Sequence, residues 1–393
     1  MTNSKGNRDL IRAINRSIIL NMIKNYGAIA RAEIAKKSKL SPATVTGITA
    51  NLIQEGLVFE KTSGDSTGGR PPILLALNPR GGYVVGLKLT DKEVIAALTD
   101  LEANIISKDK VTLSGNTPEV VIGDIVGLIK HLLKTKSVDR DLVFGIGLGL
   151  AGIIDPQNGV LVKSPYFGWK NIPIQLLIQE KVNLPTYIEN DVNTLTLSEK
   201  LFGGGHDTEN FLVVTVGRGV GLGIVMNGQF FSGDSGGAGE LGHTMIMKDG
   251  PLCECGKRGC LEAFIGDPAL LKEADEAFRK GLLEYKIQDI TQLTTMAQTG
   301  NEVAQTIYST AGEILGWSVA NLIQVFNPGR ILISGEGTRA GKFLFDPMKE
   351  AIKKYTMPEL LPYTEILIDE WGDDAWARGA ASLVLQEVFK SPR

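Results

Sequence analysis

Apolar positions in the first eighty residues change period part-way along. Ile11, Ile14, Ile18 and Met22 stand three and four apart, and nothing breaks the run before Gly27, so the spacing predicts a helix over Arg12–Tyr26. Ala32–Ser38 predicts a short second helix and Lys39-Leu40 a turn. A third helix begins at Pro42, with Ser41 as its cap and proline at the first helical position. There Val45, Ile48 and Leu52 share a packing face, leaving Ala43, Thr44, Thr46, Gly47 and Ala50 outward with small or hydroxylated side chains. After Gly56 the pattern becomes a strand at Leu57–Glu60, a polar tip at 62–69 and a returning strand at Ile73–Leu77. Three helices followed by a wing predict an α+β winged helix-turn-helix over residues 1–80.

From Tyr83 the chain is first strand-rich, with Tyr83–Leu89, Val94–Thr99 and Ile105–Leu113 separated by turn residues. A helix at Val120–Lys134 and a buried strand at Val143–Leu150 follow. Later strands at Phe211–Val216, Gly221–Met226, Arg330–Ser334 and Thr364–Ile368 alternate with helical stretches, the mark of an α/β domain. No simple repeat is visible, although a duplicated lobe would be hard to see in one sequence.

The 393 residues are 43% hydrophobic and 22% charged, too apolar for disorder and long enough for more than one domain. Charge adds a division that the average hides. Residues 1–80 carry 12 Lys and Arg against 5 Asp and Glu, a net of +7, while the remainder carries 29 against 39, a net of −10. A basic small domain joined to an acidic larger one points to a polyanion bound at the N-terminal end. No apolar run is long enough to span a membrane and no secretory pattern opens the chain, so a cytoplasmic protein is expected.

Operator DNA fits that basic end. The major groove admits a helix whose early residues reach base edges, which makes Ser41, Thr44 and Thr46 candidate DNA contacts. In the wing, Gly68-Gly69-Arg70-Pro71-Pro72 presents Arg70 on an extended arm suited to a narrow minor groove.

Cys253, Cys255 and Cys260 are the only cysteines, packed within eight positions, a poor disulfide framework and a plausible metal cluster. They stand in Cys253-Glu254-Cys255-Gly256-Lys257-Arg258-Gly259-Cys260-Leu261-Glu262, downstream of Gly239-Glu240-Leu241-Gly242-His243. This combination resembles the ROK family, named for repressors, open reading frames and kinases, and the likeness extends over essentially the whole chain. It implies an actin-like, ribonuclease-H-like two-lobed sugar-kinase fold over residues 81–393, preceded by the winged helix of the repressor branch. Lobe one would span about 81–190 plus the C-terminal helix, and lobe two about 191–370. The resemblance also implies a structural zinc ion held by His243, Cys253, Cys255 and Cys260, a closed tetrahedral ligand set. His131 and His206 are read as surface residues.

The resemblance places a sugar in the cleft between lobes, on Gly152, Asn190, Asp191, Glu240, His243 and Glu262. Each sugar hydroxyl taken out of water needs a partner, which carboxylates supply well. Glu189–Asn193 would also serve as an ordinary helix N-cap, a reading that stays open at this point. In the family's kinases the counterpart of Asp191 is the catalytic base, but phosphoryl transfer needs a phosphate cradle as well. Where the kinases read approximately D-x-G-G-T, this chain has Lys88-Leu89-Thr90-Asp91-Lys92, and where they read T-x-G-T-G-x-G it has Thr215-Val216-Gly217-Arg218-Gly219-Val220-Gly221. Arg218 is expected to fill the phosphate space, and Ile333–Gly337 is too glycine-loop-like to decide anything. These departures favour a non-enzymatic regulator whose expected partners are operator DNA, a monosaccharide of the glucose or xylose class, and a second copy or more of itself. The segment Ser164–Trp169 leans toward the xylose and glucose regulators. The alternative is an ATP-dependent sugar kinase with an attached DNA-binding domain.

Overall fold

The computed structural model describes residues 3–62, 73–369 and 373–390. The N-terminal part contains α1 (Asn3–Tyr26), β1 (Ala28–Ala30), α2 (Arg31–Ser38), α3 (Pro42–Gln54), β2 (Val58–Thr62) and β3 (Ile73–Leu77). Ser41 caps α3 by accepting the Thr44 N–H at 3.1 Å, and Pro42 opens the helix. Lys39 turns the chain between α2 and α3 in the left-handed region. Two features exceed the sequence pattern. Helix α1 starts nine residues before Arg12, and three-residue β1 pairs with β3 to make the wing three-stranded, in the order β1-β3-β2.

The following part opens with β4 (Tyr83–Leu89), β5 (Glu93–Thr99), β6 (Ile105–Thr112), α4 (Pro118–Thr135) and β7 (Val143–Leu150). A small sheet of β8 (Ile153–Asp155), β9 (Val160–Lys163) and β10 (Lys170–Ile172) comes next, then α5 (Ile174–Val182), β11 (Thr186–Asn190) and α6 (Asp191–Phe202). The second half holds β12 (Phe211–Val216), β13 (Val220–Met226), β14 (Gln229–Phe230), α7 (Glu262–Ile265), α8 (Asp267–Arg279), α9 (Ile290–Gln298) and α10 (Glu302–Phe326). It closes with β15 (Arg330–Ser334), α11 (Lys342–Tyr355), β16 (Glu365–Ile368) and α12 (Asp373–Phe389).

Two five-stranded sheets share one plan. Their orders are β11-β7-β4-β5-β6 and, read in the same sense, β16-β15-β12-β13-β14. Each starts on its central strand, runs through a hairpin to one edge, and returns after a helical crossover to fill the other side. This is the duplicated α/β architecture implied by the resemblance, and the internal duplication emerges only from strand order.

In the second sheet Leu212, Val214 and Val216 of β12 face a core built with α8, α10 and α11. Phe211 and Val213 face the opposite way, toward Leu195 of α6 and Ala375 and Trp376 of α12. Helices cover both faces, which is why β12 is buried throughout and does not alternate.

The chain divides into two compact units. One comprises residues 1–148, 174–188 and 380–393, and the other 149–173 and 189–379. The winged segment thus belongs to the same unit as the first five-stranded sheet, while the small β8–β10 sheet belongs to the second unit.

Candidate functional site

His243, Cys253, Cys255 and Cys260 come together with their ligand atoms all within 4.8 Å of one another. Cys255 Sγ and Cys260 Sγ are 3.7 Å apart, and Cys253 Sγ lies 3.5 Å from His243 Nδ1. Thiolates bound at about 2.3 Å around a tetrahedral ion stand about 3.8 Å apart, so these side chains have the dimensions of a closed four-ligand metal site. Burial pushes the Cys253 thiol up to about 12. A cation between the sulfurs would reverse that by stabilising the thiolates. The loop reaches this shape because Gly256 and Gly259 take positive φ, and bridges Met245 to Cys260 and Leu252 to Arg258 tie its flanks. His131 and His206 are exposed.

This cluster fixes two carboxylates. His243 directs Nδ1 to the sulfurs and sets Nε2 3.8 Å from Glu240, three residues before it. Cys260 lies two residues before Glu262, whose Oε2 accepts the Val220 N–H at 3.1 Å. Burial raises the Glu240 carboxyl above its ordinary value; His243 opposes the shift, and negative Glu262 and Asp191 add to it. Two acidic groups from other stretches of chain therefore lie near enough to act on Glu240.

Asn190 is the N-cap of α6, its Oδ1 accepting the Val192 and Asn193 N–H groups at 2.9 and 3.4 Å. Its Nδ2 donates to the Gly152 carbonyl at 3.1 Å. The capping role that stayed open from sequence is realised, and the same side chain joins α6 to the Gly152 turn. Gly152 has φ 137°, and a Cβ there would collide with the Lys163 carbonyl, which makes glycine obligatory. Asp191 follows at the first position of α6, favourable for a carboxylate because of the helix dipole. Behind it buried Glu189 accepts from Asn193 Nδ2 at 3.0 Å, and burial raises its carboxyl. All six residues expected to meet sugar lie in the second unit.

In the turn aligned with the second kinase phosphate loop, Arg218 is exposed and lies on an aromatic face. Its guanidinium stands 4.6 Å from the Tyr166 ring centroid, the favourable cation–π position of an exposed arginine beside an aromatic face. The carboxylate of Glu336 packs on the same turn, 2.5 Å from where a Gly217 Cβ would be, so the Ile333–Gly337 segment reaches it through its one charged residue. Asp267 and Arg339 pair beside it.

On α3, Val45, Ile48 and Leu52 are buried as the period requires, and Thr49 joins them, accepting from Arg31 Nε at 3.1 Å. Ser41 and Thr46 are exposed, while Thr44 is half-buried with its hydroxyl 2.8 Å from that of Ser41. Arg70 and the rest of the wing tip lie outside the described residues.

Comparison with known proteins settles the family. The ROK family pattern matches residues 84–387. The chain belongs to the ROK family. A MarR family pattern matches residues 15–63, over the winged helices. The "Xylose repressor" of Caldicellulosiruptor bescii is 30% identical over 98% of this chain and 99% of its own length. "DNA-binding transcriptional dual regulator NagC" of Escherichia coli K12 is 29% identical over 98% of this chain and 95% of its own. A solved ROK family transcriptional regulator, a homologue of the E. coli MLC protein, superposes with TM-score 0.87 at 27% identity, covering 96% of this chain and 97% of that one. A ROK domain joined to a MarR-type helix-turn-helix, with full-length relatives that are repressors and regulators, places this chain with the family's DNA-binding regulators and not its kinases. No helix among the described residues is long and apolar enough to cross a membrane.

Proposed function

We propose that this protein is a cytoplasmic, sugar-responsive repressor of carbohydrate-utilisation genes, with residues 1–80 binding operator DNA and residues 81–393 binding a monosaccharide. The observation that carries this reading is the convergence of Asp191, Glu240 and Glu262, two of them anchored by a four-ligand cluster. Zinc suits that cluster: it accepts three thiolates and an imidazole in a closed tetrahedron, and its part is structural, holding Glu240 and Glu262 where sugar hydroxyls can donate to them. Gly152 allows close approach to the backbone, and Asn190, Asp191 and the Glu240-facing edge of His243 complete the set. Xylose and N-acetylglucosamine stand in the names of relatives, and glucose in that of a solved ROK family glucokinase complex, so these are the sugars to try.

At the DNA end Ser41, Thr44 and Thr46 would contact the major groove and Arg70 the minor groove. A homodimer presenting two such helices would read half-sites about 34 Å or a multiple apart, so a small rearrangement would cost much affinity. Sugar and operator must then alter each other's affinity by the same factor.

Titration calorimetry with glucose, xylose, N-acetylglucosamine and their phosphates tests the sugar site. Asp191→Asn keeps shape and removes charge; losing a charge-assisted bond of about 1.5 to 3 kcal/mol should weaken binding roughly tenfold to a hundredfold. No binding by any of these sugars would sink the reading. Sugar-dependent ADP release at about 1 to 100 per second, abolished in Asp191→Asn, would restore the kinase alternative.

A further inference from the structure

Helix α12 is shared: residues 373–379 belong to the second unit and 380–389 to the first. Each end is fastened to something the proposed function needs. In its N-terminal half Gly379 lies directly on the backbone of α6, where a Cβ would stand 2.8 Å from the Thr194 carbonyl carbon and oxygen. Thr194 in turn donates its hydroxyl to the Asp191 carbonyl at 2.7 Å, and a Gly149 Cβ would meet that hydroxyl at 2.9 Å. The first turn of α6, which carries Asn190 and Asp191, therefore has α12 against it with no flexible side chain between.

At the other end the Phe389 carbonyl is one of the four that a helix C-terminus leaves without an internal partner. It is gripped from α1. Ser17 Oγ donates to it at 2.8 Å and Asn21 Nδ2 at 2.7 Å, while Lys24 Nζ sits 4.7 Å from the centroid of the Phe389 ring. Ser17 is buried, as are its neighbours Ile19, Leu20 and Ile23. Helix α1 is itself packed on α3, the helix expected to face DNA.

We infer that α12 is the mechanical connection between effector site and DNA-binding helices, with Gly379 as its contact at one end and Ser17 and Asn21 as positioning residues at the other. Close-packed backbone transmits a shift where a long side chain would absorb it, and hydrogen bonds to a helix end transmit its displacement to the donor helix. The effector meaning of this connection rests on the sugar reading above; the connection itself does not.

Amide hydrogen exchange of the full chain measures it without ligand. Gly379→Ala, which pushes α12 from α6, should change exchange in α1 residues 14–26 by about tenfold. In the Ser17→Ala, Asn21→Ala background the same substitution should change it less than about twofold, a non-additivity that independent sites do not show. Equal changes in both backgrounds, or none in either, would overturn the inference. Should Gly379→Ala not fold, Thr194→Val removes the hydroxyl bonded to Asp191 and is read in the same cycle with the same criterion. Adding D-xylose or D-glucose then separates the two readings. A bound sugar should alter α1 exchange in the parent chain and not in the double variant, and equal alteration in both counts against the connection. Failure to bind either sugar counts against the sugar reading, while the ligand-free cycle still decides on α12.

Discussion

The two five-stranded sheets place a turn at the same point of the same plan, between the central strand and its first antiparallel neighbour, and have made different things of it. Between β4 and β5 the turn closes on itself: Thr90 Oγ1 accepts the Lys92 and Glu93 N–H groups at 3.2 and 3.0 Å and donates to the Glu93 carbonyl at 3.0 Å. Between β12 and β13 the turn keeps Gly217 and Gly219 and leans on distant residues, with Glu336 against Gly217 and Glu262 bonded to Val220. The first turn is closed largely by its own hydroxyl, with the Lys92 carbonyl also accepting the Leu113 N–H at 2.8 Å, while the other leans on chain more than forty and a hundred positions away. A hairpin closed by its own hydroxyl leans less on distant chain. A glycine turn held by remote carboxylates responds to whatever moves them.

The widest separation between the two should come from removing a metal held by the His243, Cys253, Cys255 and Cys260 cluster. Chelation, or Cys255→Ser with Cys260→Ser, should release the ion, and exchange in residues 240–262 and 217–221 should quicken more than about a hundredfold. The β4–β5 turn should not change, and sugar binding should be lost. Elemental analysis finding no bound metal in a folded chain that binds sugar would break this account.

Titration distinguishes the units next. Burial raises the Glu199 carboxyl, in the second unit, from its ordinary value to about 7, despite the Gly204 N–H that it accepts at 2.6 Å. Between its unfolded and folded values the folded state binds more protons, so the second unit should lose stability as pH rises from about 4.5 to 7, by about 3 kcal/mol. Burial lowers Lys24, in the first unit, to about 8, outweighing the attraction of the Phe389 ring. There the unfolded state binds more protons from about pH 8 to 10.5, so the first unit should gain stability over that range. Unfolding followed by exchange in each unit checks both, and Glu199→Gln should flatten the acidic limb alone.

Smaller effects test the turns themselves. Gly217→Ala should cost about 1 to 2 kcal/mol, because the new methyl meets the Glu336 carboxylate, and much of that cost should vanish with Glu336→Ala. Thr90→Ala should cost about 1 kcal/mol in thermal unfolding and leave sugar affinity untouched. A comparable loss of sugar affinity from Thr90→Ala would show the first turn to be as connected as the second.

Sequence periodicity alone located β4, β7, β12 and β15, because strands covered on both faces are unbroken apolar runs, and it located α3 through Ser41-Pro42 and the Val45, Ile48, Leu52 stripe. The Cys and His positions were equally legible, since a ligand cluster drawn from a short stretch leaves its spacing in the chain. Three-residue β1 and the β8–β10 sheet were not, being too short to show a period, and Thr49 looked polar until Arg31 supplied its buried partner. Only tertiary structure showed that two unlike stretches fold to one strand order, that Glu336 lies on the Gly217 turn, and that one helix meets both Thr194 and Ser17. Local propensity and hydrophobic period act over neighbouring residues and so remain written in their order. Which carboxylate reaches which glycine is settled by how sheets and helices pack, and that information is spread over the whole chain.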